Sequence, residues 1–219
     1  MTFELPLFPL NSVLFPGMPL GLHIFEDRYK IMIQECIDEQ QPFGVVLIQE
    51  GQQEMGPATP FSVGCTAEIA HVEKLPGGRM NILALGRERF RIHSLSRHRP
   101  FLTGTVERFP LAVNNKLDST TAGRRLKPWV ARYLDLLSEI GDVEFDAGQL
   151  PSDPLTLAYL AATVLQVEAA HKQALLASEN VESMLSSMTG LYRQELPVLR
   201  IMLEEGDQQR EGPGEFSLN

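Results

Sequence analysis

Cysteine is nearly absent from this sequence: Cys36 and Cys65 are the only two in 219 residues. Two thiols are too few for a disulfide framework or a four-ligand zinc site, and they fit a reducing, cytoplasmic setting. Lysine is scarce as well, confined to positions 30, 74, 116, 127 and 172, and no G-x-x-x-x-G-K-[ST] phosphate loop occurs. None of these lysines has sequence neighbours that mark it as a base of lowered pKa. The histidines, at 23, 71, 93, 98 and 171, form no H-x-x-x-H helix pair. No metal and no cofactor is therefore expected. Both cysteines read as small buried hydrophobes rather than as half of a cysteine–histidine nucleophile. Positive charge is in deficit: the net charge of -9 opposes non-specific nucleic-acid binding, which depends on cations neutralising phosphates. The apolar N-terminal run is broken by Pro6, Pro9 and Pro16 and lacks a basic leader, so it reads as neither a signal peptide nor a membrane span.

What is present is an ordinary globular composition, 43% hydrophobic and 21% charged, in a length that suits one large domain or two small ones. The first half reads as mainly β structure. Short strands are expected at 3–7 and 43–48, the second a continuous apolar run bounded by turn residues. Between them residues 26–39 read as a helix, with Tyr29, Ile33, Cys36 and Ile37 on one face. Residues 49–60 hold Gly51, Gly56, Pro57 and Pro60 and read as an exposed loop. Leu75-Pro76-Gly77-Gly78-Arg79 reads as a hairpin turn between antiparallel strands, and 101–109 supplies another strand. The second half reads as helices: 124–140; one capped by Asp153 with Pro154 at its first position; a short one at 171–177; and a long one starting near Ser178 or Asn180. Pro197 is expected to kink or restart that last helix.

The opening residues carry a dense pattern: Leu5 to Leu10 as LPLFPL, then Leu14, Phe15, Pro16 and Gly17, then Leu22, His23, Ile24, Phe25, Glu26, Arg28 and Tyr29. Further on, Lys172, Gln173, Leu175 and Leu176 form a Lys-Gln-x-Leu-Leu element after an alanine-rich helix. In these features the sequence resembles the N-terminal (LON) domain of ATP-dependent Lon proteases across residues 3–203. Ser183 and Met184 depart from the pattern, standing where an Arg-Leu pair is usual. The resemblance implies an α+β fold: an N-terminal PUA-like β-barrel with one inserted helix, followed by a C-terminal α-helical bundle. The expected division is 1–111 for the barrel, 112–123 for a polar linker, 124–204 for the helices and 205–219 for a disordered tail. The resemblance also implies non-catalytic recognition of unfolded or extended polypeptide. Neither the phosphate loop nor a segment like the family's serine–lysine dyad occurs here, so the expectation is a free-standing recognition domain, not an enzyme, with any ATPase or protease partner acting in trans.

The candidate polypeptide-binding residues are Phe15, Met18, Leu20 and Arg28. The apolar stretch around Pro16, Gly17 and Pro19 either folds over the barrel as core or leaves an exposed patch suited to unselective contact. Glu26, Arg28 and Tyr29 also have a purely structural reading. A carboxylate suits the start of a helix, Arg28 pairs with an acid, and Tyr29 packs inward. Arg87, Arg89 and Arg91 alternate, which places them on one face of a strand with Phe90 and Ile92 on the other. With Arg97 and Arg99 nearby they supply the alternative function, RNA binding through a basic strand, as other PUA-like domains do. The competing reading is a solvated face balanced by Glu88 and Glu107. A further alternative is a scaffold with one specific protein partner. Met184, Met188 and Met202 are expected to pack between helices.

Overall fold

A computed structural model of the chain describes residues 1–49, 59–140 and 149–210, with side chains described for all of these except 140 and 205–210. Most of the expected loop at 49–60, the acidic stretch after residue 140 and residues 211–219 of the expected tail lie outside the described residues. The chain divides into two compact units, Met1–Ala112 with Val167–Glu179, and Val113–Gln166 with Asn180–Asn219.

Among the described residues the first unit holds six strands: β1 (Thr2–Leu10), β2 (Pro19–Ile24), β3 (Phe43–Leu47), β4 (Val63–Lys74), β5 (Met80–Ser96) and β6 (Leu102–Arg108). They form one mixed sheet in the order β2-β5-β4-β3-β1-β6, and β6 pairs with β5 as well. Of these strand pairs, only β1 and β3 run parallel. Helix α1 (Asp27–Asp38) connects β2 to β3. The continuous apolar run of β3 follows from burial on both faces. Val45 joins a core with Phe8, Tyr29, Met32 and Ile33, while Val46 joins another with Leu5, Leu7 and Phe90. The expected turn at 75–79 is present, with Gly77 and Gly78 at φ of 76° and 71°, a conformation that costs glycine little.

β2 begins within the apolar stretch 15–22, for which no strand is expected from the sequence. The prolines and glycines there hide a short strand paired antiparallel with residues 80–85 of β5. Gly86 makes the preceding turn possible. Its N–H donates to the Met18 carbonyl at 2.9 Å and its own carbonyl accepts from Gly17 N–H at 2.8 Å. A Cβ at Gly86 collides with the Phe15 carbonyl oxygen.

Helix α4 (Ala169–Leu176) carries the Lys-Gln-x-Leu-Leu element and packs on β4 in the first unit, although the sequence reading grouped it with the other helices. Gln173, buried, donates from Nε2 to the Val63 carbonyl at 3.0 Å, an anchor that periodicity does not reveal.

The second unit packs α2 (Lys116–Ile140), α3 (Pro154–Val164) and α5 (Val181–Arg210) on one another. Three capping side chains set their starts. Asn115 Oδ1 accepts from Leu117 N–H at 2.9 Å, Asp153 Oδ2 from Thr156 N–H at 2.8 Å, and Asn180 Oδ1 from Ser183 N–H at 2.9 Å. Each such cap contributes about 1 kcal/mol. The cap at Asn115 turns most of the expected polar linker into helix. The expected polar tail from 205 is likewise helical as far as Arg210, and α5 passes Pro197 as one continuous helix. Met184 and Met188 are core, whereas Met202 is exposed.

Candidate functional site

Alternation along β2 turns Ile24 into the core and leaves the next residue, Phe25, outward at 59% exposure. The chain then enters α1 through Glu26. The Arg28 guanidinium folds back onto Glu26, with Nη2 2.7 Å and Nε 2.9 Å from Oε2. It also lies 4.5 Å from the centroid of the Tyr29 ring. Tyr29 turns inward and stacks on Phe8 with centroids 4.1 Å apart. Desolvation raises the pKa of its hydroxyl, and the Arg28 charge opposes that rise.

These residues form one wall of a groove of about 680 Å³. The end of β1 and the β5–β6 connection form the others. Its floor is apolar, with Phe8, Ile24, Tyr29 and Phe101 all buried. Among the described residues its charged lining is Arg28, Arg97, Arg99 and the carboxylate of Glu26. Arg99 Nη2 lies 2.7 and 2.6 Å from the two Glu35 carboxylate oxygens, and its guanidinium lies 4.5 Å from the Phe101 ring centroid. His23 Nδ1 is 2.7 Å from Asn81 Oδ1, which fixes the imidazole at the groove's edge. Among the described residues no serine, threonine, cysteine or lysine lines this space. The arrangement can hold apolar side chains and carboxylates.

The candidates from sequence divide between surface and core. Arg28 stands on the groove rim. Phe15 is fully buried at 0% exposure, so of the two readings left open for this stretch it follows the core one and is not available as a polypeptide contact. Met18 and Leu20 are half-buried against that core. The physical reason is the close backbone approach at Gly86, which seats the whole turn inward.

Arg87, Arg89 and Arg91 do not form one basic face. Cys65 pairs with Arg89 and Ala67 with Gly86, so Arg87 and Glu88 together oppose Thr66 alone, and this bulge breaks the alternation. Thr66 Oγ1 holds it by accepting from Glu88 N–H at 3.0 Å. Arg87 turns to Glu68 at 2.6 Å. Arg89, 2% exposed, donates to the carbonyls of Leu176 and Ser178 at 2.5 and 2.7 Å. Arg91 pairs with Glu179 at 3.0 Å. Arg89 and Arg91 both lie over the Phe109 ring, at 4.5 and 4.0 Å. Neither the RNA-binding alternative nor a wholly solvated, balanced face describes these arginines, because the last two clamp the end of α4.

Phe25, Leu22, Arg97, Arg99 and Phe101 belong to the groove, and none was among the expected polypeptide contacts. A strand reading of PLGLHI would have found Phe25, because the residue after a buried Ile24 must point outward. Both thiols are buried, and desolvation pushes each pKa up to about 12. Lys172 departs from expectation, since burial lowers its pKa. Among the described residues no group of three or more His, Cys, Asp or Glu is placed to hold a metal ion, and no helix is long and apolar enough to cross a membrane.

A family model for the ATP-dependent protease La (LON) substrate-binding domain matches residues 4–193. The chain belongs to the LON substrate-binding domain family. Lon protease 2 of Myxococcus xanthus is 26% identical over 204 residues, which are 90% of this chain and 24% of that protein. Lon protease of Phenylobacterium zucineum (strain HLK1) is 27% identical over 209 residues, 94% of this chain and 26% of that protein. The chain thus spans about a quarter of the length of these curated relatives. Among solved structures, the Lon N-terminal domain protein from Xanthomonas campestris matches with a TM-score of 0.63 at 22% identity, covering 86% of this chain and 98% of that one. The N-terminal domain of Lon protease from the Mycobacterium avium complex gives 0.68 at 19% identity, covering 87% and 98%. At these identities the likeness is one of fold, a mixed sheet with helices.

In this LON domain, the LHIFEDRY stretch that carries the sequence pattern is also what builds the groove. Leu22, His23, Ile24, Phe25, Glu26, Arg28 and Tyr29 all line it, and Asp27, the exception, pairs with Lys30 at 2.9 Å.

Proposed function

We propose that this chain binds unfolded or extended polypeptide without performing chemistry on it, and that the groove beside Phe25 is where it does so. The observation that carries this reading is Phe25 itself: a large aromatic side chain held outward on a strand end, above an aromatic floor. Exposing that surface to water costs free energy that an apolar side chain of a bound segment recovers. Membership of the LON substrate-binding family supports the same reading. The contact set becomes Leu22, Phe25 and Arg28, joined by Arg97 and Arg99. An ATPase or protease acting in trans is the partner this role implies. Two buried, unlinked thiols suit a cytoplasmic setting. We also read the sheet as the expected PUA-like barrel; what supports it is that the ladder β5-β4-β3-β1-β6 meets β5 again.

Hydrogen exchange tests the location. Adding a reduced, alkylated model protein that stays unfolded should protect amides of residues 20–25 and 97–102. Protection confined to other segments, or none at saturating client, rejects the groove as the site.

A further inference from the structure

The groove also carries a chemical preference. The chain as a whole bears a net charge of -9, yet among the described residues that line this groove three are arginines and one, Glu26, is a carboxylate. Two of the three keep donor capacity. Glu35 engages Nη2 of Arg99, and a guanidinium has five N–H donors, so the rest of that fork can receive a second carboxylate. The Arg28 guanidinium is half-exposed beyond its contact with Glu26.

A second observation concerns β2. It pairs with β5 on one side and, among the described residues, with no strand on the other. From Pro19 to His23 its residues alternate between exposed and half-buried, Ile24 is buried, and it has neither lysine nor an internal proline to discourage pairing. Leu22, His23 and Ile24 all line the groove. Successive side chains of a strand point to opposite faces, so a cavity bordered by three in a row runs along the strand's edge. Phe8, Pro9 and Leu10 border it similarly, at the part of β1 that lies past its last β6 partner, Leu7.

We propose that the groove selects acidic, aromatic-containing segments, bound in extended form as an added strand on the open edge of β2. This rests on the polypeptide-binding reading and narrows its client class. Backbone hydrogen bonds to β2 hold the segment regardless of its sequence. An aromatic or large aliphatic side chain packs against Phe25 and the floor, and neighbouring Asp or Glu side chains meet Arg28, Arg97 and Arg99. Such strand addition leaves sequence selection to the side chains at alternate positions. The electrostatic part is exposed, so it adds modestly to affinity and weakens with salt.

Three dye-labelled ten-residue peptides with the same phenylalanine spacing, filled out with Asp, Ser or Lys, are the probes, and fluorescence anisotropy at low salt is the readout. The Asp peptide should bind about tenfold more tightly than the Lys peptide, since a few exposed pairs sum to about 1.4 kcal/mol. The double variant Arg28→Glu/Arg97→Glu should reverse the order, which a misfolded protein cannot do. N-methylation at alternate amides of the Asp peptide should abolish binding in one register and spare it in the other. Equal binding of all three peptides by a protein that still captures an unfolded model protein overturns this inference and leaves the polypeptide-binding reading intact. So does equal binding of both N-methylated registers, or full displacement of the Asp peptide by an equimolar ten-nucleotide RNA. Failure to capture any unfolded protein removes both.

Discussion

The Arg89 guanidinium donates to the Leu176 carbonyl at 2.5 Å, bridging two residues 87 apart in sequence at a site almost closed to water. Leu176 ends α4, where carbonyls lack helical partners and carry the negative end of the helix dipole. A buried cation there satisfies two carbonyls, including that of Ser178, and fastens residues 167–179 to β5. Replacing Arg89 with Met should cost about 3 kcal/mol, because both carbonyls stay buried after the charge-assisted donor is gone. Arg89→Lys should recover only part of this, since a single ammonium does not match the fork. Urea melts followed by circular dichroism measure both; an unchanged midpoint for Arg89→Met contradicts the clamp.

Gly86→Ala should destabilise the first unit by about 2 kcal/mol or more, because the new methyl group meets the Phe15 carbonyl, which cannot swing aside. Gly21 on β2 is the control. A Cβ there meets nothing within 4 Å, so Gly21→Ala should change stability by less than about 0.5 kcal/mol. Thermal melts of the two variants should differ clearly.

Cys36 and Cys65 should be silent toward thiol reagents in the native protein. With pKa values near 12, about one thiol in 10,000 is ionised at pH 8. A disulfide-exchange dye should titrate no cysteine before denaturation and two after it. The linked pH effect has a definite sign. The folded state holds these protons above the unfolded value of about 8.5, so stability is full below that pH and falls as pH rises toward 12. Rapid native labelling at pH 8 contradicts the burial of at least one thiol.

Tyr192→Phe removes a buried hydroxyl that donates to the Ala161 carbonyl at 2.8 Å. The cost should be about 1 kcal/mol and no more, because Leu165 N–H still donates to the same carbonyl at 3.1 Å. Tyr133→Phe deprives Gln166 N–H of its acceptor at a similar cost. The two rings meet edge-on at 5.1 Å, so the costs of the two changes should not simply add. Chemical denaturation of the single and double variants measures this.

Much of the fold was legible because its signals are local. Asp153 followed by Pro154 announces a helix start, and the structure adds only that Thr156 supplies the donor. Phe43–Leu47 announces a strand by its β-branched run. The groove was half legible: the LHIFEDRY pattern pointed to the right segment, but Phe15 drew attention from Phe25. Whether an aromatic lies in or out depends on which neighbours approach, and Phe15 is buried because Gly86, far along the chain, allows it. Arg89 illustrates the other limit. Strict alternation predicts a shared basic face, while a bulge opposite Thr66 and carbonyls near residue 176 decide where the charges go. Neither partner is visible from the residues around position 89.

The most direct test is anisotropy of a labelled, permanently unfolded model protein titrated with this chain across a salt series, alongside structured RNA. The account predicts saturable binding of the unfolded protein that weakens only modestly with salt, is lost in Phe25→Asp and is retained in Arg91→Gln. Steeply salt-dependent binding to RNA that is lost in Arg91→Gln, or unfolded-protein binding untouched by Phe25→Asp, contradicts it.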